Sequence, residues 1–411
     1  AFRSMALGIM LSVAFVLLAT LTLLPAVLAW LGDRIDRLAL PWVHSGEHRS
    51  ARFARWGELL WRRPLLLGVP ALALLVVLAL PLLRIDTGMP SIKVVPEDDG
   101  SRVGYAHVQE AFGAGAPGTL AVVAPAAVAD EVAQVLDADP GIAAVAPAQR
   151  AGGDALTLAV PAADPSDASV GATVDRLRDA LPQGALVGGA AAENHDLEQA
   201  LAGKTLPVFA VVLALGFLLL LVALQAPLIA LVGVLTNLLA TAAAFGVGVL
   251  IFQDGNLSGL LGFESQGFLN AWGPVFFFAM VFAISMDYTV FLLSSAKEHW
   301  DRSHDAHEAM VGGVAHSGRT IFAAAAVMVA VFFTFALSGP IPPKEMGVIL
   351  GVAVLLDAML IRLVLMPVLL RLLGRSAWAL PGWLDRVLPD VRFGHSSPAE
   401  PGKPVLRTDA P

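Results

Sequence analysis

Residues 271–295 read AWGPVFFFAMVFAISMDYTVFLLSS, a stretch of 25 residues in which Asp287 is the one charged side chain. A helix that crosses the hydrocarbon core of a bilayer needs about 20 predominantly apolar residues. This stretch therefore predicts a membrane-spanning helix. Six further stretches meet the same requirement, at residues 5–31, 64–83, 205–224, 227–252, 320–338 and 346–370. We expect a polytopic α-helical membrane protein with about seven transmembrane helices.

The composition indicates the same class of protein. Of the 411 residues, 57% are hydrophobic and 15% are charged, and the mean hydropathy is +0.73. Soluble domains carry about 25% charged residues. The chain contains no cysteine, which excludes disulfides, thiolate metal sites and cysteine nucleophiles. A net charge of −8 gives no basic surface for nucleic acid, so we expect no nucleic-acid partner.

The distribution of charge predicts an orientation, because Lys and Arg concentrate in cytoplasmic loops. Residues 32–63 carry seven arginines against four acidic residues, whereas residues 85–204 carry 17 acidic against six basic residues. The first segment is predicted to be cytoplasmic and the second extracytoplasmic. By alternation, the connection at 297–319 and the C-terminal tail are cytoplasmic. We expect a multi-pass protein of the plasma (inner) membrane.

The long segment at 85–204 is too large for a structureless loop, so we expect a domain there. Its pattern predicts strands at 119–123, 142–146, 156–160 and 185–187, with helices at 127–136 and 168–181. This order is typical of a β-α-β-β-α-β unit. Residues 193–204 also look helical and lead directly into the third span.

The predicted organisation has six parts. They are a transmembrane helix at 1–31, a cytoplasmic linker at 32–63, a transmembrane helix at 64–84, an inserted extracytoplasmic α+β domain at 85–204, a five-helix transmembrane bundle at 205–372 and a partly disordered cytoplasmic tail at 373–411. The sequence LLPAVLAWLG at 23–32 matches LMPVLLRLLG at 365–374 in the spacing of Pro and Gly. Chance in leucine-rich sequence is one explanation. The other is a repeat of the kind found in transporters, which would make residues 1–31 the last helix of a truncated first repeat.

Asp287 is the first candidate functional residue. A carboxylate inside a span costs at least about 2.5 kcal/mol on insertion scales, so something must compensate for it. Two interpretations are open: a structural group near the interface or bonded permanently to a neighbour, or a member of a proton relay. Tyr288 adds a hydroxyl that can donate and accept. Adjacent helical residues do not face each other, so each of the two needs a partner on another helix.

Two further charges, Asp357 and Arg362, share the seventh span. They are five positions apart, so their side chains point in clearly different directions from an α-helix. We therefore do not expect a local ion pair. Arg362 is interpreted as an interface anchor that extends towards the membrane surface. Asp357 is either a relay member or a packing partner. Asn237 in the fourth span is expected to form hydrogen bonds between helices.

Nothing in the sequence forms a catalytic constellation. It contains no phosphate-binding loop, no pair of histidine ligands on one helical face and no set of nucleophile, base and acid. We therefore expect a protein that is not an enzyme and that uses neither a metal nor another cofactor.

The segment SMDYTVFLL at 285–293 resembles a signature of the MMPL (mycobacterial membrane protein large) transporters, which form part of the resistance-nodulation-division (RND) superfamily. The segments FGAG at 112–115, LTLLPA at 21–26 and LLDA at 355–358, the last followed by Arg362, are also similar to that family. The resemblance implies a twelve-span transporter made of two repeats, each with a porter domain after its first helix, and driven by the proton gradient. This chain would supply spans six to twelve and the second porter domain.

What the resemblance implies for the site is a proton relay that contains Asp287 and Tyr288, with Asp357 as a tentative member. Its expected partners are protons, membrane lipids, a hydrophobic or lipid substrate, and the missing N-terminal repeat of the same transporter. The expected function is export of lipids or other hydrophobic molecules across the inner membrane, driven by the proton-motive force. Two alternatives are open: a non-transporting RND-like membrane scaffold or sensor, and multidrug efflux.

Overall fold

The computed structural model describes residues 2–32, 34, 50–386 and 388. The chain divides into two compact units, Ala1–His48 and Arg49–Pro411. The first unit contains helix α1 (Phe2–Leu31), which is 30 residues long and apolar enough to cross a membrane. Residues 35–49 of the predicted linker and residues 389–411 of the predicted tail lie outside the described residues.

The second unit contains the remaining described elements. Its helices are α2 (Ala51–Arg62), α3 (Pro64–Ala79), α4 (Gly100–Phe112), α5 (Ala129–Ala138), α6 (Ala168–Ala180), α7 (Ala190–Leu224), α8 (Pro227–Gly248), α9 (Ser258–Leu261), α10 (Gly273–Ser303), α11 (Ala306–Phe335), α12 (Ile341–Leu356), α13 (Met366–Leu373) and α14 (Gly382–Asp385). A π-helix over Asp357–Leu365 joins α12 to α13. The strands are β1 (Thr87–Gly88), β2 (Leu120–Pro125), β3 (Ile142–Val145), β4 (Gln149–Ala151), β5 (Asp154–Pro161), β6 (Leu186–Gly188) and β7 (Leu269–Asn270).

The prediction of seven apolar spans is confirmed. In the described part of the chain, seven helical segments are long and apolar enough to cross a membrane: Ala6–Leu31, Pro64–Arg84, Ala190–Leu224, Pro227–Gln253, Gly273–Ser303, Ala306–Phe335 and Ile341–Trp378. The protein is thus a polytopic helical membrane protein.

The predicted connection at 297–319 is wrong in its extent, because most of it is helical. Helix α10 continues to Ser303, and α11 already begins at Ala306. His304 ends α10 in the left-handed conformation, with φ of 50°. Asp305 then caps α11 by accepting a hydrogen bond from the His307 backbone N–H over 3.0 Å. Charged residues ended the hydrophobic pattern there without ending the helices.

The helices of the second unit pack closely where small residues face each other. Gly246 on α8 lies against α3 so closely that a Cβ atom added there would come within 1.9 Å of the Leu78 carbonyl oxygen. Buried Leu75, Leu220 and Phe282 belong to one continuous apolar core of this bundle. Close approach of backbones through small residues is typical of membrane helices.

The segment at 85–204 contains the predicted β-α-β-β-α-β order, with the short strand β4 in addition. The strands lie in the order β3-β5-β2-β6, with β4 also beside β5, and all of these pairs are antiparallel. Alternate residues of β2, such as Leu120 and Val122, are buried, as the period of two requires. They pack against Val132 of α5 and Val174 of α6. We refer to this α+β structure, together with α4, as the insert.

Helix α7 joins the insert to the bundle without a break. Its first residues, Ala191 and Ala192, belong to the apolar core of the insert. Near its other end, Leu220 and Leu224 belong to the core of the bundle. The helix is 35 residues long, and this single helix contributes residues to both cores.

Helix α4 was not predicted from the sequence. Asp99 caps it by accepting a hydrogen bond from the Ser101 backbone N–H over 2.8 Å. Tyr105 and Gln109 of α4 donate to Oδ2 of Asp164 over 2.8 and 2.7 Å. These polar contacts, rather than a buried apolar face, attach α4 to the rest of the insert.

A polar junction connects the ends of four spans with one another. Strand β1, which follows α3, pairs in parallel with β7, which precedes α10. Arg84 forms a two-pronged ion pair with Asp254, with distances of 2.8 and 2.6 Å. The buried carboxylate of Glu345 on α12 accepts a hydrogen bond from the Asn270 backbone N–H of β7 over 3.2 Å. The seventh span is therefore hydrogen-bonded to strand β7, which directly precedes the fifth span.

Candidate functional site in the membrane helices

Helix α10 places Asp287 and Tyr288 on different faces, as adjacent helical residues require. Asp287 is exposed on the side of the helix, and Tyr288 is half-buried. The ring of Tyr288 points towards the seventh span, where its centroid lies 5.6 Å from Cζ of Arg362. The structure brings Tyr288, but not Asp287, directly against Arg362, so the expected partner on another helix is found for Tyr288.

Asp357 and Arg362 form a buried ion pair, which corrects the expectation that they lie apart. Oδ2 of Asp357 accepts from Nε of Arg362 over 2.8 Å and from Nη2 over 2.7 Å. In an α-helix, five positions would separate the two side chains by about 140°. Both residues lie in the π-helix, whose i→i+5 hydrogen bonds bring residues five apart onto one face.

The interpretation of Arg362 as an interface anchor is also wrong. Arg362 and Asp357 are 1% and 2% exposed, so neither side chain reaches the surface of the bundle. Taking two ions out of water costs several kcal/mol each, and mutual attraction with additional hydrogen bonds must compensate for that cost. The interior position of the guanidinium therefore depends on its partners.

Those additional hydrogen bonds come from α10. Nη2 of Arg362 donates to the backbone carbonyl of Ser285 and, over 3.2 Å, to the Ser285 hydroxyl. Arg362 thus bridges the π-helix and the turn of α10 that precedes Asp287. Asp287 follows Ser285 by two positions and adjoins Tyr288, and both of these neighbours on α10 contact Arg362. A second carboxylate, exposed on α10, therefore lies within one turn of the residues that hold the guanidinium.

A third helix completes the buried polar cluster, which consists of Asn237, Ser285, Thr289, Asp357 and Arg362. The Ser285 hydroxyl donates to Oδ1 of Asn237 on α8 over 2.9 Å, and Nδ2 of Asn237 donates to Thr289 over 3.2 Å. The prediction that Asn237 forms hydrogen bonds between helices is confirmed. The cluster joins α8, α10 and the π-helix through side chains that are all less than 4% exposed.

The arrangement can respond to a proton. The buried Arg362 is held by Asp357 and Ser285 and lies near the exposed carboxylate of Asp287. Protonation of either carboxylate would change the charge balance around the guanidinium. In the interior, where screening is weak, such a change acts more strongly than in water.

Sequence reasoning named Asp287, Tyr288 and Asp357 as candidates, but it missed Ser285. A small hydroxyl three positions before Tyr288 gives no signal by itself.

A second polar cluster lies at the junction, outside the spanning segments. Glu264 accepts hydrogen bonds from Lys93, over 2.7 Å, and from Arg102 of α4. These two cations hold the pKa of the Glu264 carboxyl below its usual value. A cavity of about 230 Å³ lies beside them, lined by charged residues of the insert and by Phe263 and Ile341. This cluster attaches α4 to the segment between the fourth and fifth spans.

Comparison with known proteins identifies the family. A sequence model of the MMPL family matches residues 100–398. The chain is 32% identical to the membrane protein YdfJ of Bacillus subtilis, an alignment that covers 94% of this chain and 55% of that protein. It is 34% identical to the mycolic acid-containing lipids exporter MmpL11 of Mycolicibacterium smegmatis, over 95% of this chain and 43% of that protein.

A third relative carries a different description. The heme uptake protein MmpL11 of Mycobacterium tuberculosis is 35% identical over 97% of this chain and 43% of its own length. The chain spans about half the length of the curated relatives it matches. Because the family match covers most of the chain and each relative aligns along nearly all of it, the chain belongs to the MMPL family of RND-type membrane transporters.

Proposed function

We propose that this chain is the C-terminal part of a two-repeat transporter that exports lipids or other hydrophobic molecules across the plasma membrane, driven by the proton-motive force. The observation that carries the proposal is the buried Arg362, held between Asp357 and Ser285 beside the exposed Asp287. Ionisable groups inside spans are rare and mark ion pathways and proton relays.

In this mechanism Asp287 binds the proton. When its carboxylate becomes neutral, Arg362 is attracted by Asp357 alone, and the contact between α10 and the π-helix changes. Asp357 participates through Oδ2, while its other oxygen, Oδ1, takes no part in the ion pair. Asp357 is a second relay member in this proposal, and Tyr288 positions the guanidinium through its ring and presents its hydroxyl to a partner helix.

The proposed partner helix belongs to the other repeat. The carboxylate of Asp287 is exposed in this chain, and exposure of a charged group to lipid is costly. The chain covers 43–55% of its relatives, which supports a second half of similar size in the intact transporter. We place a relay pair of that other half opposite Asp287 and Tyr288.

The direction of transport is part of the proposal. The seven arginines at 32–63 support a cytoplasmic linker, and by alternation they support an extracytoplasmic insert that acts as a porter domain. The C-terminus is then cytoplasmic.

One relative is described as a lipid exporter, which supports lipids as substrates. The junction and α7 would transmit changes at Arg362 to the insert.

The test is proton-coupled transport by the intact transporter in proteoliposomes, with an internal pH dye and a fluorescent phospholipid as probe. Asp287→Asn keeps the shape of the side chain but cannot carry a proton, so lipid-dependent proton flux should fall at least about 100-fold. Asp301→Asn is the matched control, because Asp301 is exposed on the same helix and bonded to Lys297 over 2.7 Å. Normal flux in Asp287→Asn would refute the relay. Absence of flux in the wild type would favour a scaffold or sensor.

A further inference from the structure

Trp56 of α2 forms a hydrogen bond with the π-helix that contains the ion pair. Its indole Nε1–H donates to the backbone carbonyl of Leu363 over 2.6 Å, although 307 positions separate the two residues in the chain. Leu363 directly follows Arg362. Trp56, which lies outside the seventh span, is therefore hydrogen-bonded to the backbone next to Arg362.

The Leu363 carbonyl has no backbone donor in an α-helical register. In an α-helix this carbonyl would accept a hydrogen bond from the backbone N–H four residues later. That residue is Pro367, which has no N–H. Leu363 is 9% exposed, and a buried carbonyl without a donor is costly. The indole of Trp56 supplies the hydrogen bond that Pro367 cannot.

We propose that Trp56 is a positioning residue for the Asp357–Arg362 pair, which acts by holding the end of the π-helix in its register. This inference rests on the proposed proton-coupled function. The ion pair exists because the π-helix brings residues five apart onto one face. If the segment relaxes to an α-helical register, Arg362 turns away from Asp357 by about 140°. A donor fixed at Leu363 opposes that relaxation.

The remaining contacts of α2 provide an internal control, because they are made with α11 and α13 rather than with the π-helix. The ring of Trp61 lies 5.0 Å from the ring of His307 and 5.3 Å from Cζ of Arg371 on α13. Glu58 contacts Nε2 of His307 over 2.8 Å. These contacts hold α2 against α11 and α13 when the indole of Trp56 is lost. A phenylalanine ring at position 61 would preserve the ring contacts of Trp61.

The experiment compares three variants of the intact transporter: Trp56→Phe, Trp61→Phe, and Trp56→Phe combined with Pro367→Ala. Alanine at 367 supplies a backbone N–H four positions after Leu363, so the Leu363 carbonyl gains an α-helical donor, which satisfies the carbonyl but favours the α-helical register over the π-helix. Two quantities are measured: hydrogen–deuterium exchange of the backbone at 357–366, and the pH profile of lipid-dependent proton flux. The first reports how firmly the backbone hydrogen bonds of this segment are held, and it does not require transport.

Trp56→Phe should accelerate exchange at 357–366 about tenfold, lower the flux by a similar factor and displace its pH profile. Trp61→Phe should leave exchange and the pH profile within about twofold of the wild type. The double variant should recover most of the exchange protection, because the Leu363 carbonyl is hydrogen-bonded again, but not the flux, because the α-helical register turns Arg362 away from Asp357. Protection without flux shows that the register of the helix, rather than damage to α2, causes the defect.

The inference is overturned if Trp56→Phe matches Trp61→Phe in exchange, or if it lowers flux without moving the pH profile. Recovery of the flux in the double variant would also overturn it, since an α-helical bond at Leu363 would then serve transport as well as the indole of Trp56 does. A wild type with no proton flux refutes the proposed function instead, and the exchange measurement still decides whether Trp56 holds the π-helix.

Discussion

Arg362 contacts Asp357 through a single carboxylate oxygen, with both Nε and Nη2 within 2.8 Å of Oδ2. A guanidinium and a carboxylate more often meet through two parallel hydrogen bonds, which fix their geometry. Here the remaining hydrogen bonds of the guanidinium are donated to Ser285 on α10, a different helix. The ion pair is therefore also a contact between two spans, and a change in the pair is a change in their packing.

The first prediction concerns the cost of separating this pair. Arg362→Met leaves the Asp357 carboxylate buried without a cation, and breaking a buried pair costs about 3–5 kcal/mol. The combined Asp357→Leu and Arg362→Met variant should regain most of that stability without regaining transport. Thermal denaturation in detergent, followed by size-exclusion chromatography, measures the stability, and lipid-dependent proton flux in proteoliposomes measures the transport.

The control for this comparison is Arg302→Met, which removes an exposed ion pair with Glu298 on α10. Exposed pairs of this spacing contribute about 0.3–0.5 kcal/mol, so the melting temperature should barely change. Equal destabilisation by Arg302→Met and Arg362→Met would contradict the importance of burial.

The second prediction concerns the contact between α3 and α8. Gly246→Ala places a methyl group within 1.9 Å of the Leu78 carbonyl, so the helices must separate, at a cost of about 1–3 kcal/mol. Gly203→Ala on α7 is the matched control, because nothing lies within 4 Å of an added Cβ there. Its stability should be unchanged or slightly raised, since alanine favours helix. A thermal melt that ranks the two variants in the opposite order would contradict this packing.

The third prediction is a pH dependence in the insert. Burial favours the neutral form of Asp164, but hydrogen bonds from Ser166, Tyr105 and Gln109 outweigh it and hold the pKa of Asp164 below its usual value. A lowered pKa stabilises the fold above the ordinary carboxyl pKa of about 4, and the contribution is lost as the pH falls below that value. Asp164→Asn should therefore weaken protection of α4 against hydrogen exchange at pH 7.

At pH 3 the difference between Asp164→Asn and the wild type should shrink, after correction for the intrinsic exchange rate. Asp179→Asn serves as control, because Asp179 is exposed on α6 and should leave α4 unchanged at both pH values. A difference that grows as the pH falls would contradict the assigned sign.

The fourth prediction concerns orientation. The chain has no natural cysteine, so single cysteines can be placed at the exposed positions Ala168 and Ala51. An impermeant maleimide added to intact cells should label the Ala168→Cys protein and leave the Ala51→Cys protein unlabelled. After the cells are permeabilised, both should react. The reverse pattern would overturn the proposed topology.

Much of the fold follows from hydrophobic length and period. Seven apolar stretches became seven spans, and alternation in the insert predicted its strands. Helix α4 was missed because none of its residues is buried, so it lacks the apolar stripe that sequence reasoning detects. Its attachment through Tyr105 and Asp164 is a contact between residues 59 positions apart.

The sequence named candidate residues but not their geometry. An isolated carboxylate in an apolar stretch made Asp287 a candidate, and the same argument made Asp357 one. The pairing with Arg362 was missed because a rotation of 100° per residue was assumed throughout the span. The hydrogen-bond register that forms the π-helix depends on tertiary contacts, and composition does not encode it.

The unbroken course of α7 has a mechanical consequence. At 1.5 Å per residue, its 35 residues extend over about 52 Å, so a tilt of about 10° moves one end by roughly 9 Å relative to the other. Pro207 lies near the middle of α7, where its ring removes one backbone hydrogen bond and makes the helix easier to bend. A bend of about 10° at Pro207 would displace Ala191, in the core of the insert, by about 4 Å.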